Sequence, residues 1–408
     1  MTSAKIKTIV LATSALFIAG AIIAYPETSV NASLAGLKMW WNVVFPSLLP
    51  FFIVSELLIG FGIVTFIGVL LEPVMRPIFR VPGVGAFVFV MGLLSGFPAG
   101  AKITARLYEE KQLTKTEAER LASFTNFSNP LFMFGVVAIG FFENAALGII
   151  FALSHYIGNF SVGIMMRFYK GKEAKSDGVS HLSPRIVTRA FRSMHRERLK
   201  NRRPIGKMLG DAIQSSVTTL LMVGGFIILF SVFNRLLYAM GGTEIIAVLF
   251  KHILAWLNMT PQLGSGIVPG LFEITVGAQR ISEIHAPLIE AVVITAFILG
   301  FGGFSIQAQV ASILAEAKLS AKPFFFGRLF HGVFAAASAA LLFKVFDIPA
   351  HDHQSPLSIP VFQRLSQSME HFTAHSTDAM RWGAVLTLFV LIIYIFYRAI
   401  RTVSEHSK

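Results

Sequence analysis

Long apolar runs alternate with short polar ones along most of the chain. A spanning helix needs about 20 mostly apolar residues to cross roughly 30 Å of hydrocarbon. Eight runs meet that requirement: Ile6–Ala24, Val43–Ile63, Phe124–Phe142, Ala145–Phe168, Asp211–Asn234, Pro287–Ser305, Phe324–Phe346 and Trp382–Tyr397. Two other apolar stretches are too short to cross. Val84–Gly96 has 13 residues, about 20 Å of helix, and runs into Gly96-Phe97-Pro98-Ala99-Gly100. Gly264–Gly277 (GSGIVPGLFEITVG) has a similar length and the same glycine and proline punctuation. Both predict re-entrant hairpins, because non-helical backbone inside a bilayer survives only where protein or a water-filled cavity satisfies it.

The two stretches belong to an internal repeat. At a shift of 177 residues Gly100-Ala101 meets Gly277-Ala278 and Phe127-Ser128 meets Phe304-Ser305. Gly92-Leu93-Leu94 resembles Gly270-Leu271-Phe272 at a shift of 178, and His155 meets His331 at 176. The first copy starts with a helix running from outside to inside and the second with one running from inside to outside. The reading is an all-α polytopic membrane protein built as an inverted-topology repeat with two re-entrant hairpins. Inverted repeats with interrupted helices are typical of secondary transporters, whose substrate site lies between the interruptions; a duplicated structural bundle is the alternative. The expected divisions are an N-terminal spanning helix and outer loop (1–42), repeat 1 (43–168, hairpin near 84–110), a basic cytoplasmic linker (169–207), repeat 2 (208–346, hairpin near 264–286), an outer loop (347–381) and a C-terminal spanning helix and tail (382–408).

Composition and charge agree with this picture. The chain is 54% hydrophobic and 14% charged with no cysteine, whereas charged residues in soluble domains run near a quarter. A soluble enzyme, a nucleic-acid-binding module and a disulfide-stapled secreted fold are excluded. Most of the +13 net charge sits in one loop: Arg167 to Lys207 holds 13 Lys and Arg against three acids. The positive-inside rule makes that loop cytoplasmic, and Lys5, Lys7, Arg398, Arg401 and Lys408 put both termini there. A cleavable signal peptide is the alternative for residues 1–24. The alternating charges of Lys102–Arg120 predict a solvated cytoplasmic helix, and Lys170–Pro204 a flexible tether, with contact to anionic lipid heads as its alternative.

Candidate binding residues cluster at the interruptions. The tips supply Gly96, Pro98 and Gly100 in the first copy and Glu273, Thr275 and Gly277 in the second. Asn126, Ser128 and Asn129 interrupt one span beside Pro130, and Ser305, Gln307 and Gln309 follow Gly302-Gly303 in the other. Half-helices starting near Ala99 and Ala278 would aim unpaired N–H groups inward, a ready anion site. Lys102, one turn from the first tip, and Gln279 with Arg280 at the matching place add donors. An intramembrane ammonium is functional by default, with snorkelling to the interface as the alternative. This set suits a small organic anion with two carboxylates. Glu273 is expected to pair with Lys102 or Arg280, with uptake of a proton or cation as the alternative; Glu56 poses the same choice. His155 and His331 are expected to hydrogen-bond between helices. Among His351, His353, His371 and His375 no metal site is expected, and no cofactor is implied. HExxH, GxSxG and Walker A patterns are absent, so no enzyme is expected.

Gly-Leu-Leu-Ser-Gly-Phe-Pro-Ala-Gly-Ala-Lys (92–102) and Thr-Asn-Phe-Ser-Asn-Pro (125–130) resemble the integral membrane sporulation proteins of the YlbJ type, also called stage V sporulation protein V. The resemblance covers nearly the whole chain. These proteins contain the Gate, or nucleoside-recognition, domain and are distantly similar to concentrative nucleoside transporters. The resemblance implies transport of dipicolinic acid from the mother cell across the outer forespore membrane. The domain label alone would imply a nucleoside or other small solute, and a non-transporting assembly protein is the third reading. The implied partners are the anion and the lipid bilayer, without nucleic acid; a homo-oligomer is compatible.

Overall fold

Each half of the chain begins with a helix that turns sharply into a shorter one. The structure is a computed structural model describing residues 2–170, 186–200 and 204–346. α1 (Thr2–Ala24) meets α2 (Pro26–Met39) at 102°, where Pro26 is preset for a first helical turn. The first repeat then opens with α3 (Phe45–Gly60) and α4 (Ile63–Phe79), bent by 79° at Gly62, whose φ of +77° suits glycine. The hairpin follows as α5 (Val84–Ser95) and α6 (Ala99–Glu109). Next come α7 (Lys115–Phe124), a π-helical segment (Phe132–Phe141) and α8 (Leu147–Met166). α9 (Ile186–Lys200) lies in the basic linker.

The second repeat has the same order. α10 (Ile205–Ala239) and α11 (Gly242–Trp256) correspond to α3 and α4, and α12 (Gly264–Phe272) and α13 (Ile274–Ser282) form the second hairpin. α14 (Leu288–Phe301) and α15 (Gly303–Glu316) form the second broken helix, and α16 (Lys322–Phe346) matches α8. Packing respects the correspondence: α6 touches α15 as α13 touches the π-helical segment, and α7 touches α16 as α14 touches α8.

The two copies are inverted. Gly327 lies against Val162 and Ala335 against Gly158, so α8 and α16 run antiparallel. The amide of Ser320, before α16, donates to Glu119 on α7, and Arg120 donates to the Tyr169 and Lys170 carbonyls after α8. These three ends therefore share the linker side. At the opposite side, the Thr260 amide donates to Glu290 at the start of α14. His155 and His331 meet at the centre, ring centroids 4.4 Å apart and tilted by 52°, with His331 Nε2 2.7 Å from the His155 carbonyl. The expected helix-to-helix role of the pair is present.

Among the described residues, four stretches are long and apolar enough to cross a membrane, or six if each bent pair is one span. Exposed apolar residues such as Leu16, Leu131, Ile245 and Trp256 suit a lipid-facing surface. The eight expected spans are corrected accordingly. Val43–Ile63 is α3 with a bend, and Phe124–Phe142 holds only a chain break and the short π-helical segment. Trp382–Tyr397 and the loop 347–381 lie outside the described residues. Part of the expected outer loop is α2, which packs on α10 through Trp40 Nε1 donating to the Leu220 carbonyl and Ser231 Oγ to Ala32. The returning half-helix of the second hairpin starts at Ile274, not near Ala278.

Two charge readings also change. Lys102–Arg120 is not one solvated helix: a turn divides it, and Thr116, Glu117, Glu119 and Arg120 are buried. α7 starts with a capping box of Thr114 and Glu117, and its charges are satisfied by the chain ends they tie together. In the basic linker, α9 is a formed helix packed on α4, with Phe191 against Phe66.

Inversion has a direct test, helped by the absence of native cysteine. In sealed vesicles, Glu110→Cys and Lys318→Cys should react with an impermeant maleimide from one side and Glu283→Cys from the other. Labelling of residues 110 and 283 from the same side would overturn the inverted arrangement.

Candidate functional site

Both hairpins close by backbone-on-backbone contact. A Cβ on Gly92 or Gly100 would run into the Thr125 carbonyl oxygen, and one on Gly277 into Gly270 Cα. Glycine at these positions is therefore a close-approach requirement. Gly96, at φ +85°, turns the chain out of α5, and Pro98 stands at the N-cap of α6. In the second hairpin Glu273 is the N-cap of α13, accepting from the Val276 amide at 2.8 Å and from Thr275 Oγ1 at 3.0 Å.

The breaks are held by side-chain amides. Asn126, fully buried, accepts from the Ala101 amide and donates to the Ala122 carbonyl, each at 2.8 Å. It thereby fastens the first tip to the end of α7. Asn129 Oδ1 accepts from the Phe132 amide at 2.9 Å, capping the π-helical segment, and the Ser128 amide donates to His155 Nε2 at 3.1 Å. In the second copy Gly302 and Gly303 take left-handed conformations, and Gln307 Nε2 donates to the freed Phe301 carbonyl at 3.0 Å.

Between the tips and the breaks lies a cavity of about 230 Å³. Seven of the fifteen expected residues line it: Gly96, Ser128, Asn129, Glu273, Thr275, Ser305 and Gln309. Leu48, Phe132, Val223 and Ile306 supply apolar wall. Three helix N-termini border it, those of the π-helical segment, α13 and α15. Such ends favour negative charge, and two of them are already capped, by Asn129 Oδ1 and by the Glu273 carboxylate. Glu273 is the one acid among the lining residues.

Other expected residues stand elsewhere. Pro98, Gly100, Asn126, Gly277 and Gln307 shape the tips and breaks rather than line the cavity. Lys102 and Arg280, expected to add donors beside the tips, do not line it. Gln279 is exposed, and Arg280 is exposed and paired with Glu283 at 3.4 Å. Glu273 pairs with neither cation; its carboxylate caps α13 instead. Lys102 faces a second, polar cavity of about 450 Å³ nearer the linker side, with Glu56, Arg106, Asp211 and Glu316. There Glu56 sits 3.9 Å from Lys102, 3.8 Å from Arg106 and 3.1 Å from Ser215 Oγ. Leu48, Phe52, Ala99 and Leu220 form a buried apolar cluster between the two cavities: Leu48 lines the central one, and Lys102 Nζ lies 4.7 Å over the Phe52 ring beside the other.

The sequence reading missed Phe97, whose ring lines the central cavity, and Arg328, which is completely buried on α16. Arg328 falls one turn inside the expected span Phe324–Phe346, where an arginine ordinarily snorkels. Only its neighbours distinguish it.

These features define a class: an integral membrane protein of inverted-repeat, transporter-like architecture with a small central cavity between broken helices. The chain belongs to the family of the sporulation integral membrane protein YlbJ. It is 51% identical to that protein of Bacillus subtilis (strain 168), with each chain covered in full. The Gate family model, described as nucleoside recognition, matches residues 41–145. An uncharacterized protein of Alkalihalophilus pseudofirmus is 36% identical over 29% of this chain and 24% of its own. No solved structure matches.

Removing the pin at the first break should show in stability. Asn126→Ala leaves the Ala101 amide and the Ala122 carbonyl buried without partners, a loss of about 1–3 kcal/mol per group. The melting temperature in detergent should fall clearly, and Ser161→Ala, on the exposed face of α8, should leave it nearly unchanged.

Proposed function

We propose that the protein is a carrier for a small organic anion, dipicolinic acid, moved from the mother cell across the outer forespore membrane during sporulation. The observation that carries this reading is a 230 Å³ cavity bordered by three helix N-termini and containing a single acid. Such ends favour negative charge. Sites for drug-sized ligands run about 300–1,000 Å³, so this volume favours one ring with short substituents over a base joined to a ribose. The resemblance read from residues 92–102 and 125–130 supplies the particular dicarboxylate, and the relative's name supplies sporulation.

Access follows from the paired cavities. The basic linker takes the cytoplasmic side, and both termini are assigned to that side by charge. The Lys102 cavity then acts as a cytoplasmic vestibule, and the Leu48–Phe52–Ala99–Leu220 cluster separates it from the central site. Its two cations, Lys102 and Arg106, stand among four acids, Glu56, Glu109, Asp211 and Glu316, so selection for an anion falls to the central cavity.

The test is uptake by purified protein in liposomes. Labelled dipicolinate should accumulate, unlabelled dipicolinate should compete, and uridine or adenosine should not. Gln309→Leu and Ser305→Leu, which fill the cavity, should cut uptake at least about tenfold while the folded fraction is retained. Competition by nucleosides alone would transfer the protein to the nucleoside reading, and no movement of either solute would favour an assembly role.

A further inference from the structure

Arg328 is the largest side chain among those fully buried in this protein. Its Nη2 donates to the Ser123 carbonyl at 3.3 Å and to Asn159 Oδ1 at 3.1 Å, and Asn159 in turn donates to the Phe124 carbonyl. Both acceptors of the guanidinium are neutral. Its Nε and Nη1 are buried with no hydrogen-bond partner. Other cations near the hairpins are provided for: Lys102 and Arg106 share Glu56, and Arg280 pairs with Glu283. An ionised group in an apolar interior is strongly penalised unless paired and hydrogen-bonded. Holding the end of α7 uses Nη2 alone, so a structural role does not account for the remaining donors.

Position supplies the account. The guanidinium carbon lies 5.9 Å from the centroid of Phe97, the tip residue of the first hairpin whose ring lines the central cavity. A Cβ on Gly302, at the second break, would sit 3.6 Å from Arg328 Cδ. Arg328 thus stands directly behind the wall between one tip and one break. Phe97 follows Gly96, a residue free to change its backbone conformation. Rotation of that one ring would expose the unpartnered N–H groups to the cavity.

We propose that Arg328 is the carboxylate-binding cation of the central cavity, screened by Phe97 until the first hairpin tip shifts. This deepens the anion-carrier reading and rests on it. A carboxylate entering past Phe97 supplies the acceptors that Nε and Nη1 lack, and its charge is neutralised in a low-dielectric site, where charge-assisted hydrogen bonds are strongest.

The experiment compares pyridine-2,6-dicarboxylate with the neutral pyridine-2,6-dicarboxamide, using binding to detergent-solubilised full-length protein. Wild type should prefer the dicarboxylate. Arg328→Gln should weaken dicarboxylate binding at least about tenfold and leave dicarboxamide binding nearly unchanged, erasing the preference. Arg328→Lys, which keeps the charge, should retain part of it, and it carries the test if Arg328→Gln does not fold. Phe97→Ala should tighten dicarboxylate binding. A purely structural Arg328 would lower the melting temperature of the variants with the preference intact, and that result would overturn the proposal. Wild type that binds neither ligand overturns the anion-carrier reading itself, a different outcome from a variant that still discriminates.

Discussion

Backbone that leaves the helical state inside a bilayer must find every hydrogen-bond partner within the protein. That constraint organises the centre of this molecule. Each hairpin tip and each helix break frees amides and carbonyls, and a side chain from another segment meets them: Asn126 binds Ala101 and Ala122, Asn129 caps Phe132, and Gln307 takes up Phe301. Asn159 and Arg328 do the same for Phe124 and Ser123. The polar residues of the apolar spans are concentrated here because the interruptions need them. The cavity is the space left between interruptions once their backbone has been satisfied.

The two copies solve this problem differently. In the first, seven residues from Thr125 to Leu131 separate α7 from the π-helical segment, and the break is fastened by long-range side-chain bonds to the tip and to His155. In the second, two left-handed glycines make a compact break between α14 and α15. Arg328 comes from α16, passes beside Gly302 and reaches across to the end of α7, the broken helix of the other copy. The position matching Arg328 in the first copy is Ala152, at the shift of 176 that pairs the histidines. Near-symmetry of backbone is therefore combined with strong asymmetry of charge.

Much of this was legible in the sequence. The 13-residue apolar run and its Gly-Phe-Pro-Ala-Gly tip could not span, and the register pairing His155 with His331 located the second hairpin and both breaks. Side-chain direction was less legible. Lys102 follows the first tip by one turn, but three residues advance a helix by nearly a full turn, and whether it faces the central cavity or its neighbour depends on how α6 rolls against α3 and α10. Arg280 stands beside the second tip in sequence and outside the bundle in space for the same reason. Glu119 and Arg120 read as solvated because their partners, at the ends of α8 and α16, lie far away in sequence, and Glu117 because it turns back to Thr114 and to Arg76 on α4. Arg328 resembles a snorkelling end-of-span residue until its burial is known.

The central site and the vestibule share α3, α10 and α15 as walls, with Leu48 and Glu56 two turns apart on one helix. Eight residues of helix are about 12 Å, and the cluster around Phe52 fills that interval. On the anion-carrier proposal a solute passing from one to the other displaces this cluster, which the first hairpin borders. α6 touches the cluster through Ala99 and is fastened at its tip by Asn126. Movement of that tip also carries Phe97 away from Arg328. On that proposal the same displacement opens the path and uncovers the cation, so arrival of the anion and exposure of its proposed binding group would be one event. Coupling of that kind needs no wire between distant sites; it needs one rigid tip in contact with both the apolar plug and the guanidinium.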